Sequence, residues 1–356
     1  MNKSIVLYII GWILIFEAAF MTLASIVSLI YQEKSGFAFL VTIGISLIFG
    51  VPLILNKPKK RVFFAREGFV SVALGWIVLS VIGALPFYIS GEIPHYVDAL
   101  FEIVSGFTTT GSSILVDVEA LSYGMLFWRS FTHWIGGMGV LVFIMAILPL
   151  STGESIHIMR AESPGPSVEK LVPKMHSSAS LLYKIYIGMT LLQIILMLLG
   201  GMPLFDTLTL SFGTAGTGGF SIKRDGLASY STYNQVVVTI FMFLFGVNFN
   251  VYYLLFLKKV KSAFKCEELR WYFIIVISSI ILIALNTGGI KGFLGQIHEA
   301  SFHVSSIITT TGYATMDFNN WPAFSKTILI ILMFIGACAG STGGGIKVSR
   351  IVILFQ

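Results

Sequence analysis

The chain has 356 residues, of which 56% are hydrophobic and only 11% charged. Soluble domains carry about a quarter charged residues, so this composition excludes a large soluble core and fits a polytopic membrane protein. The net charge of +6 does not point to nucleic acid, because the positive residues fall in short connections between apolar runs.

Eight runs are expected to cross: 4–30, 37–56, 68–90, 123–149, 180–202, 235–257, 270–286 and 325–356. Most reach the roughly 20 residues that span a hydrocarbon core. The first is too long for a signal-peptide core and contains Glu17, so it is read as a spanning helix facing protein or an interface. Lys57, Lys59, Lys60 and Arg61 follow the second run, Arg160, Lys170 and Lys174 the fourth, and Lys258, Lys259, Lys261 and Lys265 the sixth. The positive-inside rule places these alternate connections, and the N-terminus with Lys3, in the cytoplasm.

The opposite connections contain a repeat. They read DALFEIVSGFTTTGSSI from Asp98, DTLTLSFGTAGTGGFSI from Asp206 and EASFHVSSIITTTGYAT from Glu299. An acidic residue precedes a glycine by 13 positions each time: Asp98 to Gly111, Asp206 to Gly219, Glu299 to Gly312. The pattern predicts a short helix entering the membrane, N-capped by the acid, and an extended Thr/Gly segment returning. The negative end of the helix dipole favours a cation, and glycine permits the positive φ that lets successive carbonyls face one way. Non-helical backbone at this depth survives only where protein or a water-filled pathway satisfies it. Carbonyls replacing a hydration shell are how potassium filters work, and no carboxylate lies within 108–113 or 309–313 to suit a divalent ion.

SGFTTTGSS, GTAGTGGFS, SSIITTTGYAT and GACAGSTGGGIKVSR together resemble the Trk/Ktr/HKT superfamily of potassium transporters, TrkH-type membrane subunits in particular. The resemblance covers essentially the whole chain. It implies an all-α membrane fold of four helix–pore-loop–helix repeats, with one filter glycine per repeat and an N-terminal helix pair. Here 1–61 is the helix pair. The first repeat is 62–178 with pore loop 98–115, the second 179–266 with pore loop 206–222. The third is 267–356 with pore loop 299–315 and a second helix broken at 338–347. Three of the four repeats are accounted for, so the chain is read as C-terminally truncated, with the fourth absent.

By the same resemblance, the ion-binding filter comprises Thr109, Thr110, Gly111, Thr217, Gly218, Gly219, Thr310, Thr311 and Gly312. Potassium, the transported ion, is placed at Thr110, Gly111, Gly218, Gly219, Thr311 and Gly312, and no cofactor is expected in the chain. The implied partners are membrane lipid, a second copy in a homodimer, and a cytosolic TrkA-like regulatory subunit that reads adenine nucleotides or NAD. The implied location is the bacterial inner membrane. Glycine at all three filter positions favours potassium; the serine that plant-type members associated with sodium carry at the first position is not matched by Gly111.

CAGSTGGGIK, 338–347, interrupts the last apolar run. Gly340 lies about fifteen residues inward from Ser325, roughly 22 Å at ~1.5 Å per residue, in the inner half of a ~30 Å core. Gly340, Ser341, Thr342, Gly343, Gly344 and Gly345 break the helix, with Lys347 as the cytoplasm-side flank, and the resemblance implies an intramembrane gate. A phosphate loop is excluded, because Ile346 separates the last glycine from Lys347 and no strand precedes. No GxSxG, HExxH or cluster of catalytic acids suggests an enzyme.

The remaining features read as structural. Asp117, Glu119, Asp225 and Asp317 belong to solvated loops, or else ring an outer mouth that Lys223 and Arg224 keep from being purely acidic. Arg129 and His133, beside Trp128 and Trp134, suit interfacial anchoring. Asn248 and Asn250 suit inter-helix hydrogen bonds. Cys266 and Cys338 read as buried thiols, and ESPGPSVEKLVPK as a flexible partner contact. The function expected is potassium uptake; the alternatives are a sodium-permeable or sodium-coupled transporter and a non-conducting truncated assembly or regulatory component.

Overall fold

A computed structural model describes residues 2–58, 65–139, 175–287 and 292–355. Every regular element among them is helical. The chain divides into two compact units, 1–184 and 185–356.

The N-terminal unit comprises α1 (Lys3–Ile30), α2 (Ser35–Leu55), α3 (Ala65–Gly83), α4 (Leu85–Ser90), α5 (Tyr96–Phe107), a 3₁₀ turn (Val118–Ala120), α6 (Tyr123–Met138) and the start of α7 (Met175–Leu199). α1 packs against α2, α3 and α6. Two facing glycines let α1 and α2 approach: a Cβ on Gly11 would sit 3.0 Å from Gly50 O, and one on Gly50 3.2 Å from Gly11 O. Small residues at such a crossing are how helices pack where no water drives them together. Glu17 faces inward, buried against Gly83 of α3. The start of α6 receives the Glu33 carboxylate, which accepts the N–H groups of Tyr123 at 2.7 Å and Gly124 at 3.0 Å, an anion at the positive end of a helix.

The C-terminal unit runs through the rest of α7, α8 (Leu204–Ala215), α9 (Thr232–Phe245), α10 (Phe249–Phe256), α11 (Val260–Phe264), α12 (Glu267–Asn286), α13 (Gly292–Ile308), α14 (Ala323–Ile335) and α15 (Val348–Phe355). Its core gathers Tyr272, Val276 and Ile283 of α12 with Val304 and Ile308 of α13 and Leu329 and Leu332 of α14.

Among the described residues five helices are long and apolar enough to cross a membrane, or six if the bent pair α9–α10 is one span. Large apolar side chains such as Phe37, Ile48 and Phe49 on α2 and Phe334 on α14 stay exposed, a surface that lipid accepts and water does not. The expected sixth crossing is not one straight helix: α9 and α10 meet at a 92° bend over residues 246–248. Of the fourth crossing, 140–149 lie outside the described residues, as do Lys59, Lys60, Arg61, Arg160 and ESPGPSVEKLVPK.

Candidate ion-pathway site

The three Thr/Gly segments end their short helices in one way. After α5, Thr109 N–H bonds Gly106 O at 3.0 Å and Thr110 N–H bonds Ser105 O at 2.9 Å. After α8, Thr217 N–H bonds Thr214 O at 3.0 Å and Gly218 N–H bonds Gly213 O at 2.9 Å. After α13, Thr310 N–H bonds Ile307 O at 3.0 Å and Thr311 N–H bonds Ser306 O at 2.9 Å. These bond pairs define a Schellman turn, whose pivot must be left-handed and is usually glycine. Here the pivots are threonines, with φ of 54°, 52° and 59° at Thr109, Thr217 and Thr310. A β-branched residue there is an outlier costing about 1–2 kcal/mol, and three equivalent outliers mark a shared constraint. Two residues later Gly111, Gly219 and Gly312 turn left-handed again, at 75°, 78° and 87°.

Hydroxyls line these turns. Thr108 Oγ1 and Thr110 Oγ1 lie 2.8 Å apart, and Thr309 Oγ1 and Thr311 Oγ1 repeat the pair at 2.8 Å. In the C-terminal unit the second and third segments touch. A Cβ on Gly219 would fall 1.8 Å from Thr311 O, so no other residue fits. Tyr313, next to the third glycine, places its hydroxyl 3.2 Å from Leu210 O and 3.3 Å from Phe220 O, bracing the second copy. Gly213 leaves room for it: a Cβ there would lie 2.2 Å from that hydroxyl.

The repeated acids do not cap. α5 and α8 have His95 and Pro203 at their N-caps without a side-chain bond, and Asp98 and Asp206 sit in the first turn, where charge alone serves the dipole. α13 starts at Gly292, so Glu299 lies well inside it. Asp206 instead accepts the Tyr230 hydroxyl at 2.9 Å, and Glu299 accepts Thr315 Oγ1 at 2.6 Å, tying each segment to its helix. Burial and the Asp206 carboxylate push the Tyr230 hydroxyl above the usual phenol range.

In the first copy Glu102 does this tying. It is fully buried, accepts Ser113 Oγ at 3.0 Å and Ile114 N–H at 3.0 Å, and pairs with Arg129 Nε at 2.5 Å. Arg129 and His133 are therefore not interfacial anchors; both are buried, and Trp128 beside them donates to Gly83 O at 3.0 Å. Two of the loop acids cap after all: Asp117 and Asp317 accept the N–H of Glu119 and Asn319 at 3.1 and 2.9 Å, starting matching 3₁₀ turns. A cavity of about 450 Å³ beside the second and third segments is lined by Gly219, Gly312, Lys223, Arg224, Asp225 and Asp317.

The glycine-rich loop leaves helical geometry at Gly336, two residues before CAGSTGGGIK, and regains it at Val348. Some of its backbone bonds stay local, such as Ala337 N–H to Gly344 O at 3.3 Å and Lys347 N–H to Ile335 O at 2.9 Å, and others go to distant segments. The 92° elbow of α9–α10 frees the carbonyls of Phe245 and Gly246 and the N–H of Phe249. The loop takes all three: Thr342 Oγ1 donates to Phe245 O at 3.2 Å, Cys338 N–H to Gly246 O at 3.0 Å, and Phe249 N–H donates to Gly340 O at 3.0 Å. The loop also reaches the threonine pivots: Thr217 Oγ1 donates to Thr342 O at 2.9 Å, and Gly344 N–H donates to Thr310 Oγ1 at 2.7 Å. Lys347 closes the loop sequence. It is buried and left-handed at φ 87°, and its ammonium donates to Gly343 O. Cys338 is buried in the loop, whereas Cys266 is only half-buried.

Sequence reasoning passed over Glu102, Glu268 and Tyr313. Glu102 left a signal, a lone charge inside the apolar stretch ALFEIVSGF. Glu268, in CEELRW, reads as an ordinary first-turn acid, yet it bonds the loop and Asn248. Asn248 caps α10 through Asn250 N–H at 2.9 Å, besides reaching Glu268.

Residues 35–356 match the TrkH family, described as cation transport protein. The Trk system potassium uptake protein TrkH of Salmonella typhimurium is 37% identical over 360 residues, covering 98% of this chain and 74% of that protein. The Trk system potassium uptake protein TrkG of Escherichia coli (strain K12) is 33% identical over 366 residues, covering 100% and 76%. The crystal structure of the potassium transporter TrkH from Vibrio parahaemolyticus matches with a TM-score of 0.88 at 30% identity, over 100% of this chain and 75% of that one. The chain belongs to the TrkH family of cation transport proteins.

Proposed function

We propose that this chain carries potassium into the cell through a channel-like pathway in the bacterial inner membrane. The observation that carries the reading is the thrice-repeated turn, in which Thr109, Thr217 and Thr310 are held left-handed two residues before Gly111, Gly219 and Gly312. A chain that keeps three strained β-branched residues at equivalent positions is keeping a shape, and the shape is a helix end followed by carbonyl and hydroxyl oxygens. A potassium ion sheds water onto those oxygens, at Thr110, Gly111, Gly218, Gly219, Thr311 and Gly312, and moves down its electrochemical gradient. The helix repeats 62–178, 179–266 and 267–356, after the helix pair 1–61, are the units of this pathway. The names of the relatives, potassium uptake proteins of Trk systems, support the choice of ion.

The loop at 338–347 is the gate. Its bonds to Thr217 and Thr310 set it against the second and third turns, and a cytosolic nucleotide-binding subunit is the agent that moves it. The N-terminus and the Lys-rich connections face the cytoplasm, and the unit of assembly is a homodimer.

Growth of a potassium-uptake-deficient bacterium on low potassium tests the reading. Expression of the full-length protein restores growth; no rescue despite membrane insertion sinks the potassium assignment. Gly312→Ser narrows it further: potassium-over-sodium discrimination falls, and a variant with flux and discrimination both intact shows that Gly312 is not in the filter.

A further inference from the structure

We propose that Glu268 is the latch of the glycine-rich loop, a positioning residue that holds the loop shut from its base. The inference rests on reading that loop as a gate. One carboxylate oxygen, Oε1, accepts Ala339 N–H at 2.6 Å and Ser349 N–H at 3.2 Å. These two groups flank the loop, one where it enters and one where it leaves, so a single oxygen reinforces a base that backbone bonds, among them Val348 N–H to Ala337 O at 3.1 Å, already draw together. The other oxygen, Oε2, accepts the Asn248 amide at 3.4 Å, on the elbow where α9 turns into α10. The three groups belong to three separate stretches of chain, and no other side chain among the described residues is seen to join them.

Glu268 has no need of this arrangement to serve its own helix. It stands in the first turn of α12, beside Glu267, and either acid there favours the helix dipole while facing solvent. Its oxygens instead accept N–H groups from the two ends of the loop. Ionised acceptors make the shorter and stronger hydrogen bonds, and Glu268 makes two of them with N–H groups of the half-buried Ala339 and Ser349. The closed loop is therefore stabilised by Glu268 to a degree that an open loop, with its ends apart, does not share. That differential is what a gate needs. Glu268 also opens α12 directly after Lys258, Lys259, Lys261 and Lys265. Motion of that basic connection carries the carboxylate with it and undoes both loop bonds at once.

The test compares Glu268→Ala and Glu268→Gln with the parent in a Cys266→Ser background, using the full-length transporter in proteoliposomes. Thallium flux and the labelling rate of Cys338, which is fully buried in the closed loop, by a membrane-permeant maleimide are the two primary readouts, with the potassium-over-sodium flux ratio measured alongside. Glu268→Ala raises both by about 10-fold, the scale of one lost charged hydrogen bond, while the potassium-over-sodium ratio holds. Glu268→Gln, which keeps the volume and a neutral acceptor, raises both by about 3-fold, and it carries the test if the alanine variant fails to fold. Parent-like flux and labelling in Glu268→Gln and in folded Glu268→Ala overturn the latch. Deleting Gly340–Gly345 separates the two levels: raised flux in the deletion with parent-like Glu268 variants overturns the latch and leaves the gate, whereas unchanged flux in the deletion overturns the gate reading itself.

Discussion

The three Thr/Gly turns and the glycine-rich loop both run non-helical backbone through an apolar protein, and they satisfy it differently. Each turn closes its backbone N–H bonds on the helix it has just left, three and five residues back: Thr310 on Ile307, Thr311 on Ser306. The loop closes many of its bonds on distant segments: on Phe245 and Gly246 at the elbow, on Glu268 of α12, on Thr217 and Thr310. Locally closed backbone can only come apart by unravelling its helix. Remotely closed backbone comes free when the segments slide. On the proposed reading, this difference in sequence separation is what makes the turns the fixed element and the loop the movable one.

The sharpest way to break the fixed element is Gly219→Ala. The new Cβ meets Thr311 O at 1.8 Å and the residue must hold φ 78°; a loss of about 3–5 kcal/mol in thermal unfolding and of flux follows. A stable, conducting Gly219→Ala protein contradicts the contact between the second and third turns. Next in size is Arg129→Met, which strands the buried Glu102 carboxylate at the first turn and costs about 3–5 kcal/mol. Adding Glu102→Gln recovers part of that loss, which a double-mutant cycle on melting temperatures reads directly.

Smaller changes sharpen the contrast. Thr310→Val keeps the β-branched pivot but removes the oxygen that accepts Gly344 N–H at 2.7 Å. The turn survives, the loop loosens by about 1 kcal/mol, and basal flux rises about 5-fold. Unchanged flux separates loop from pivot. The smallest effect belongs to Tyr313→Phe, which deletes a hydroxyl shared between Leu210 O and Phe220 O. It costs about 1 kcal/mol of stability and lowers potassium-over-sodium discrimination before it lowers flux.

The sequence made the repeats legible because composition and spacing survive in one dimension. The 13-residue interval from acid to glycine marks all three segments. It misassigned the acids because a helix start depends on which N–H groups are free. The N-cap positions of α5 and α8 hold His95 and Pro203, while Glu299 lies inside a helix that begins seven residues earlier at Gly292. The left-handed pivots were hidden, since threonine has no preference for that conformation and is held there by tertiary structure. The elbow was hidden as well: 235–257 is mostly apolar, and Gly246, Asn248 and Asn250 are what hint that the helix stops. Glu268 and Glu102 could be recognised only once their partners, far away in sequence, were brought to them.

The central claim is that the loop gates while the turns select, and one measurement addresses both halves. Potassium and sodium fluxes are compared in proteoliposomes before and after deletion of Gly340–Gly345. Both fluxes are expected to rise with their ratio fixed, because the turns keep their helix-end bonds and the contact between the second and third of them without the loop. A fall in the ratio to near one would contradict it, showing that the loop is part of the filter.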